Sequence, residues 1–197
     1  MRRGITSKGL ATRGRIVAGA AAVLRERGVA ATGLDDIRAA TGVSSSQLFH
    51  YFPGGKAELM LAAAGHEADQ ILLDQEPYLS GLTSRRSWQL WAAQLLARYE
   101  QQGQRCGLSA LTSQLDPSDP AVQEIIGTMY QRWHEALATG IRALQASGEA
   151  PASLDADQAA AATLAGIQGG VVMMLATGSS AYLKAALAAS LEPLRSR

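Results

Sequence analysis

Residues Thr12–Leu59 read TRGRIVAGAAAVLRERGVAATGLDDIRAATGVSSSQLFHYFPGGKAEL, three short helical patterns separated by glycine-bearing breaks. Ile16, Ala20, Val23 and Leu24 recur at the three- and four-residue spacing of a helix with one apolar face. This spacing predicts a first helix over about Gly9–Arg27, which Gly28 is suited to stop. Leu34–Thr41 predicts a second, with Asp35 and Asp36 in its first turn, where carboxylates favour the helix dipole. Gly42-Val43-Ser44 makes a tight turn, because glycine takes positive φ without steric penalty. A third helix follows over Ser45–Phe52. Two short helices joined this way form a candidate helix-turn-helix. Ile37, Val43 and Leu48 would lock the pair onto the first helix and leave the other face of the third free to enter a major groove. A plain helical hairpin shares this spacing.

Outward from this stretch the pattern stays helical. Pro53-Gly54-Gly55 breaks the chain, and a helix restarts near Lys56 and runs to about Gln75. Pro77–Ser84 reads as a loop, Trp88–Gln102 as a helix ended by Gly103, and Leu108–Leu115 as a short helix. Asp119 is placed to cap a long helix with Pro120 at its first position, ending near Ser147. Helices over 154–177 and 180–191 complete an all-α chain of about nine helices, with an N-terminal helix-turn-helix domain over 1–56 and a C-terminal helical bundle over 57–197. The composition agrees: 37 of the 197 residues are alanine, and Leu, Gln, Glu and Arg are abundant. Such a chain can bury a core without disulfides or metals. Cys106, the single cysteine, cannot pair within the chain, which suits a reducing cytosol; a cytoplasmic location is expected.

The net charge of +1 conceals an asymmetry. Up to Lys56, nine Lys/Arg face three acids, a net +6; from Ala57 onward nine face fourteen, a net −5. A basic head on an acidic body suits a polyanionic partner, although a solvated charged surface would look the same. Gln158–Leu183 carries no charge, yet Ala, Gly, Ser, Thr and Gln dominate it where a membrane span wants about twenty strong hydrophobes. No membrane partner is expected, and Met1-Arg2-Arg3 leads into no signal-peptide core.

Catalysis finds no constellation. His50, His66 and His134 never pair at metal-ligand spacing, so neither metal nor cofactor is expected. Gly54-Gly55-Lys56 lacks the first glycine of a phosphate loop, and Ala57 stands where a magnesium-binding Ser or Thr belongs.

Thr12–Leu59 resembles the DNA-binding domain of the tetracycline-repressor (TetR) family. The matching features are the Arg-rich first helix, Gly28-Val29, Thr32, Asp36-Ile37, Gly42-Val43-Ser44, Leu48, His50-Tyr51-Phe52 and Lys56. Phe-Pro-Gly-Gly-Lys at 52–56 looks like a subgroup of drug- and flavonoid-responsive repressors, and a looser likeness runs through Arg105-Cys106 and Trp133. The resemblance implies that Ser44, Ser45, Ser46 and Gln47 lie at the groove end of the recognition helix. Their chemistry is suitable, since Gln can pair with adenine and Ser can serve bases or phosphates. By the same resemblance His50, Tyr51 and Lys56 hold phosphates, the last also opening a helix whose N–H groups attract anions. Thr32 is expected to cap the second helix and touch the DNA backbone. Arg38, where most such units carry Ala, is expected to reach outward to that backbone. Phe49 departs from the family's usual Tyr, so that one phosphate hydrogen bond of the resemblance is missing, and Gly33 departs from a Ser/Thr cap.

For the body, the resemblance implies effector binding and dimerisation. Trp88, Trp91, Tyr99, Cys106, Met129, Tyr130, Trp133, Gln168 and Met173 are the candidate pocket residues, for a small apolar or aromatic effector. An ordinary bundle core accounts for the same residues. The homodimer is expected to form through helices 154–177 and 180–191, where Ala159, Ala162, Gly166 and Gly170 permit close approach, although small residues could equally pack within one subunit. The function implied is a ligand-released repressor binding double-stranded, palindromic operator DNA. An all-helical small-molecule-binding or scaffolding protein without DNA binding is the alternative, favoured by Phe49 and Gly33.

Overall fold

The computed structural model describes residues 6–28, 31–103 and 115–194. Among them lie eight helices and no strand. They are α1 (Ser7–Arg27), α2 (Leu34–Thr41), α3 (Ser45–Tyr51), α4 (Gly55–Leu73), α5 (Arg85–Gln102), α6 (Pro120–Ala146), α7 (Ala156–Thr177) and α8 (Ala181–Leu191). Cys106, and all but the last residue of the short helix expected over Leu108–Leu115, fall outside the described residues.

Capping side chains set the helix starts. Thr6 accepts from the Gly9 N–H at 3.2 Å and extends α1 before its expected start. Ser84 and Ser87 each accept from the other's backbone N–H, at 3.2 and 3.1 Å, so α5 begins at Arg85 rather than Trp88. Asp119 accepts from the Ala121 N–H at 2.8 Å with Pro120 first in α6, as its sequence indicates. Asp155 accepts from the Asp157 and Gln158 N–H groups, both at 3.0 Å, and starts α7 at Ala156.

The chain divides into two compact units. One comprises Met1–Gln70 with Ala110–Ile126. Its core joins Ile16, Ala20, Ala21 and Leu24 of α1 to Ile37, Val43, Leu48, Phe52, Leu59 and Met60. Full burial of each large side chain is worth roughly 1.5–3 kcal/mol, so α2 and α3, too short to persist alone, are held by this packing. Arg25 of α1 pairs at 3.5 Å with Glu67, buried in α4.

The other unit comprises Ile71–Ser109 with Gly127–Arg197. Trp88, Trp91, Met129, Trp133, Leu137 and Ile141 are fully buried in it. α7 and α8 pack closely: a Cβ on Gly170 would lie 2.6 Å from Leu183 Cα, and one on Gly166 3.4 Å from Ala186 Cβ. Of the two readings open to these glycines, between subunits or within one, Gly166 and Gly170 take the second and pack inside the chain. By length and composition alone α7 is long and apolar enough to cross a membrane.

Candidate nucleic-acid interface

Gly42 ends α2 in the left-handed conformation, φ +68°, its N–H donating to the Arg38 carbonyl at 2.9 Å. The chain then turns so that Val43 and Leu48 enter the core with Ile37. Ser44, Ser45, Ser46, Gln47, Phe49 and His50 are left exposed. Leu48 is the buried residue within α3, Tyr51 is half-buried beside it, and the rest of the helix surface faces outward.

Ser44 caps α3. Its hydroxyl accepts from the Gln47 N–H at 3.2 Å, and Gln47 Oε1 accepts from the Ser44 N–H at 3.0 Å. The Ser46 hydroxyl lies 3.0 Å from that of Ser44. Gln47 thus has its side-chain carbonyl engaged in the cap, on an exposed residue. Exposed His50 meets Tyr51 edge-on, centroids 4.9 Å apart. Tyr51 is half-buried against the core and Phe52 wholly buried, with the Arg13 guanidinium 5.0 Å above its ring.

Lys56 is exposed in the first turn of α4. Glu58 Oε2 accepts from the Gly54 N–H at 2.8 Å, just before that helix. Arg38 pairs with Asp35 at 2.7 Å, and its Nε is buried without a hydrogen-bond partner.

Thr32 requires a correction. It does not cap α2: Gly33 is the cap residue, and Asp36 Oδ2 accepts from the Gly33 N–H at 2.8 Å. Thr32 is buried and donates to the Gly28 carbonyl at 2.6 Å. With Gly33 lacking a side-chain acceptor, Asp36 supplies the cap three residues on, and the Thr32 hydroxyl goes to the Gly28 carbonyl. Asp36 also pairs with Arg27 at 2.7 Å.

In the other unit, Trp88, Trp91, Tyr99, Met129 and Trp133 are buried, as a core or an enclosed pocket both require. Trp88 and Trp91 meet edge-to-face, 5.5 Å between centroids. Trp91 Nε1 donates to Gln75 Oε1 at 2.9 Å, whereas Trp88 Nε1 and Trp133 Nε1 are buried without a partner. Tyr130 donates to Gln168 Oε1 at 2.9 Å. Met173 departs from its expected place. It is 39% exposed, and Met174, one residue and about 100° further round, takes the core position at 6%. A cleft of about 390 Å³ runs between Leu79, Leu82 and the α6 residues Arg132, Ala136, Thr139 and Gly140, and none of the candidate effector residues among the described residues lines it. A void of about 40 Å³ adjoins Trp88, Arg85, Leu144 and Leu194.

Two family models match the chain: "Bacterial regulatory proteins, tetR family" over residues 16–63, and "Tetracyclin repressor-like, C-terminal domain" over residues 87–190. An uncharacterized HTH-type transcriptional regulator of Mycobacterium tuberculosis is 36% identical over 59 residues, 30% of each chain. The chain therefore matches under a third of that curated relative's length. A TetR transcriptional regulator from Chloroflexus aurantiacus is similar in structure, with a TM-score of 0.78 and 25% identity, covering 94% of this chain and 95% of that one. A TetR-family regulator from Cytophaga hutchinsonii superposes with a TM-score of 0.77 at 19% identity, covering 98% and 96%.

Proposed function

Since this chain belongs to the TetR family of bacterial regulatory proteins, we propose that it is a homodimeric, cytoplasmic repressor of transcription. It binds a palindromic operator and is released by a small apolar or aromatic effector. The observation that carries this reading is α3 itself: held by buried Leu48, it presents Ser45, Ser46 and Gln47 outward from a segment of net charge +6. Ser44–Gln47 face the bases, while His50, Tyr51, Lys56 and Arg38 hold the flanking phosphates. Reading adenine bidentately requires Gln47 to leave its cap. Arg38 reaches a phosphate by exchanging its Asp35 partner for it. Thr32 stays behind this surface and shapes it.

The outer faces of α7 and α8 support the dimer. Ala162, Ala165, Gly169, Val172 and Met173 form an exposed stripe on α7, and Tyr182, Ala185 and Ala189 another on α8. Val172 is 55% and Tyr182 50% exposed, a cost in water that a second copy removes. The unpartnered indole N–H groups of Trp88 and Trp133 support an effector that combines an aromatic body with hydrogen-bond acceptors. The Phe-Pro-Gly-Gly-Lys segment points the same way, toward the drug- and flavonoid-responsive subgroup. Effector binding acts through α4, a continuous helix with residues in both units. A hundredfold loss of operator affinity needs about 2.7 kcal/mol of coupling, within the usual allosteric range.

Selection from a random DNA pool tests the reading. A palindromic consensus is expected, and flavonoid-like or polyketide-like compounds that quench Trp fluorescence are expected to release it. A pool that stays unselected refutes the repressor; quenching without release refutes the coupling.

A further inference from the structure

Phe49 is the large apolar side chain of α3 that the core does not take: it is 51% exposed, while Leu48 and Phe52 on either side are buried. It lies four residues after Ser45 and three after Ser46, on the helix face that carries those two exposed hydroxyls. The ring is steadied from one side. A Cβ on Gly55, the φ +67° residue opening α4, would sit 3.6 Å from Phe49 Cε1. The rest of the ring stands in water on a polar, basic surface. A phenyl ring has neither donor nor acceptor, so it cannot hold a phosphate. In the major groove the apolar feature a base edge offers is the C5-methyl of thymine.

We propose that Phe49 packs on a thymine methyl. Each operator half-site then carries a thymine at one fixed position, beside the bases faced by Ser45 and Ser46. The inference rests on the operator reading above and adds a specificity-determining residue to it.

The test takes a duplex selected by the full-length protein and replaces each thymine in turn, in both half-sites, by deoxyuridine, which removes only the methyl. One buried methyl is worth about a fourfold change in affinity per half-site. Wild-type protein is expected to lose that factor at one thymine position and little elsewhere. Phe49→Ala, on an exposed helical position that favours Ala, is expected to bind the thymine and uracil forms equally there. The proposal is overturned by the absence of any uracil penalty, by a penalty that Phe49→Ala retains, or by a selected site without thymine. Binding with normal salt sensitivity but no Phe49-dependent penalty removes the thymine contact and leaves the operator reading intact. Failure to select any duplex removes both.

Discussion

Gly42 and Ser44 illustrate how single residues aim α3. At φ +68°, a Cβ on Gly42 would touch nothing within 4 Å, so substitution there costs backbone strain alone. Gly42→Ala is expected to lower unfolding stability by about 1–2 kcal/mol in denaturant titration, and Ser44→Ala by about 1 kcal/mol through loss of the cap. The glycine was legible because few residues tolerate that turn. Gln47 was legible as a candidate base reader, yet the Ser44-x-x-Gln47 spacing also spells a capping box, and the structure uses it that way. Thr32 was misread because a threonine before a helix can either accept from a helix N–H or donate to a preceding carbonyl, and only the fold shows which it does. Asp116 gives a pH marker. The Ser118 hydroxyl and N–H donate to it at 2.7 and 2.8 Å and hold its carboxyl below the usual range. Its charged form therefore favours the folded turn above the unfolded pKa, and that preference fades as pH falls through the lowered value. An NMR titration should place Asp116 below ordinary aspartates, and Ser118→Ala should return it toward them.

At the scale of elements, the helices were legible because apolar periodicity and Gly/Pro breaks coincide along most of the chain. Their starts were less so, because Ser84, Ser87 and Asp155 cap through local hydrogen bonds that leave no mark on hydrophobic period. Met173 and Met174 are both apolar and adjacent, so composition does not decide which one faces the core. α6 offers a controlled comparison of packing. A Cβ on Gly127 would meet nothing within 4 Å, whereas one on Gly140 would lie 2.7 Å from Leu82 Cβ and 3.1 Å from Trp88 Cζ2. Gly127→Ala is expected to stabilise by about 0.5–1 kcal/mol through helix propensity. Gly140→Ala is expected to destabilise by about 1–3 kcal/mol through overpacking. Equal effects of the two substitutions in thermal unfolding would show that the Leu82–Trp88–Gly140 packing is not as tight as described.

For the whole molecule, the proposed reading assigns the net +6 head to DNA and the exposed α7–α8 stripes to a second copy. Light scattering at micromolar concentration is expected to give twice the chain mass, and Val172→Glu to give the monomer with weakened operator binding. The head was legible in sequence because its turn, buried positions and charge fall within one short stretch. In the body, sequence did not separate a pocket from a core, since buried Trp and Met residues fill both alike. The most direct measurement of the central claim follows the affinity of wild-type and Lys56→Ala protein for the selected palindrome across a salt series. Wild-type affinity should fall with a log–log slope of roughly −0.9 per phosphate neutralised. Lys56→Ala should weaken all sequences alike and flatten that slope by about one per subunit. Affinity indifferent to both salt and Lys56 would contradict a DNA-binding head.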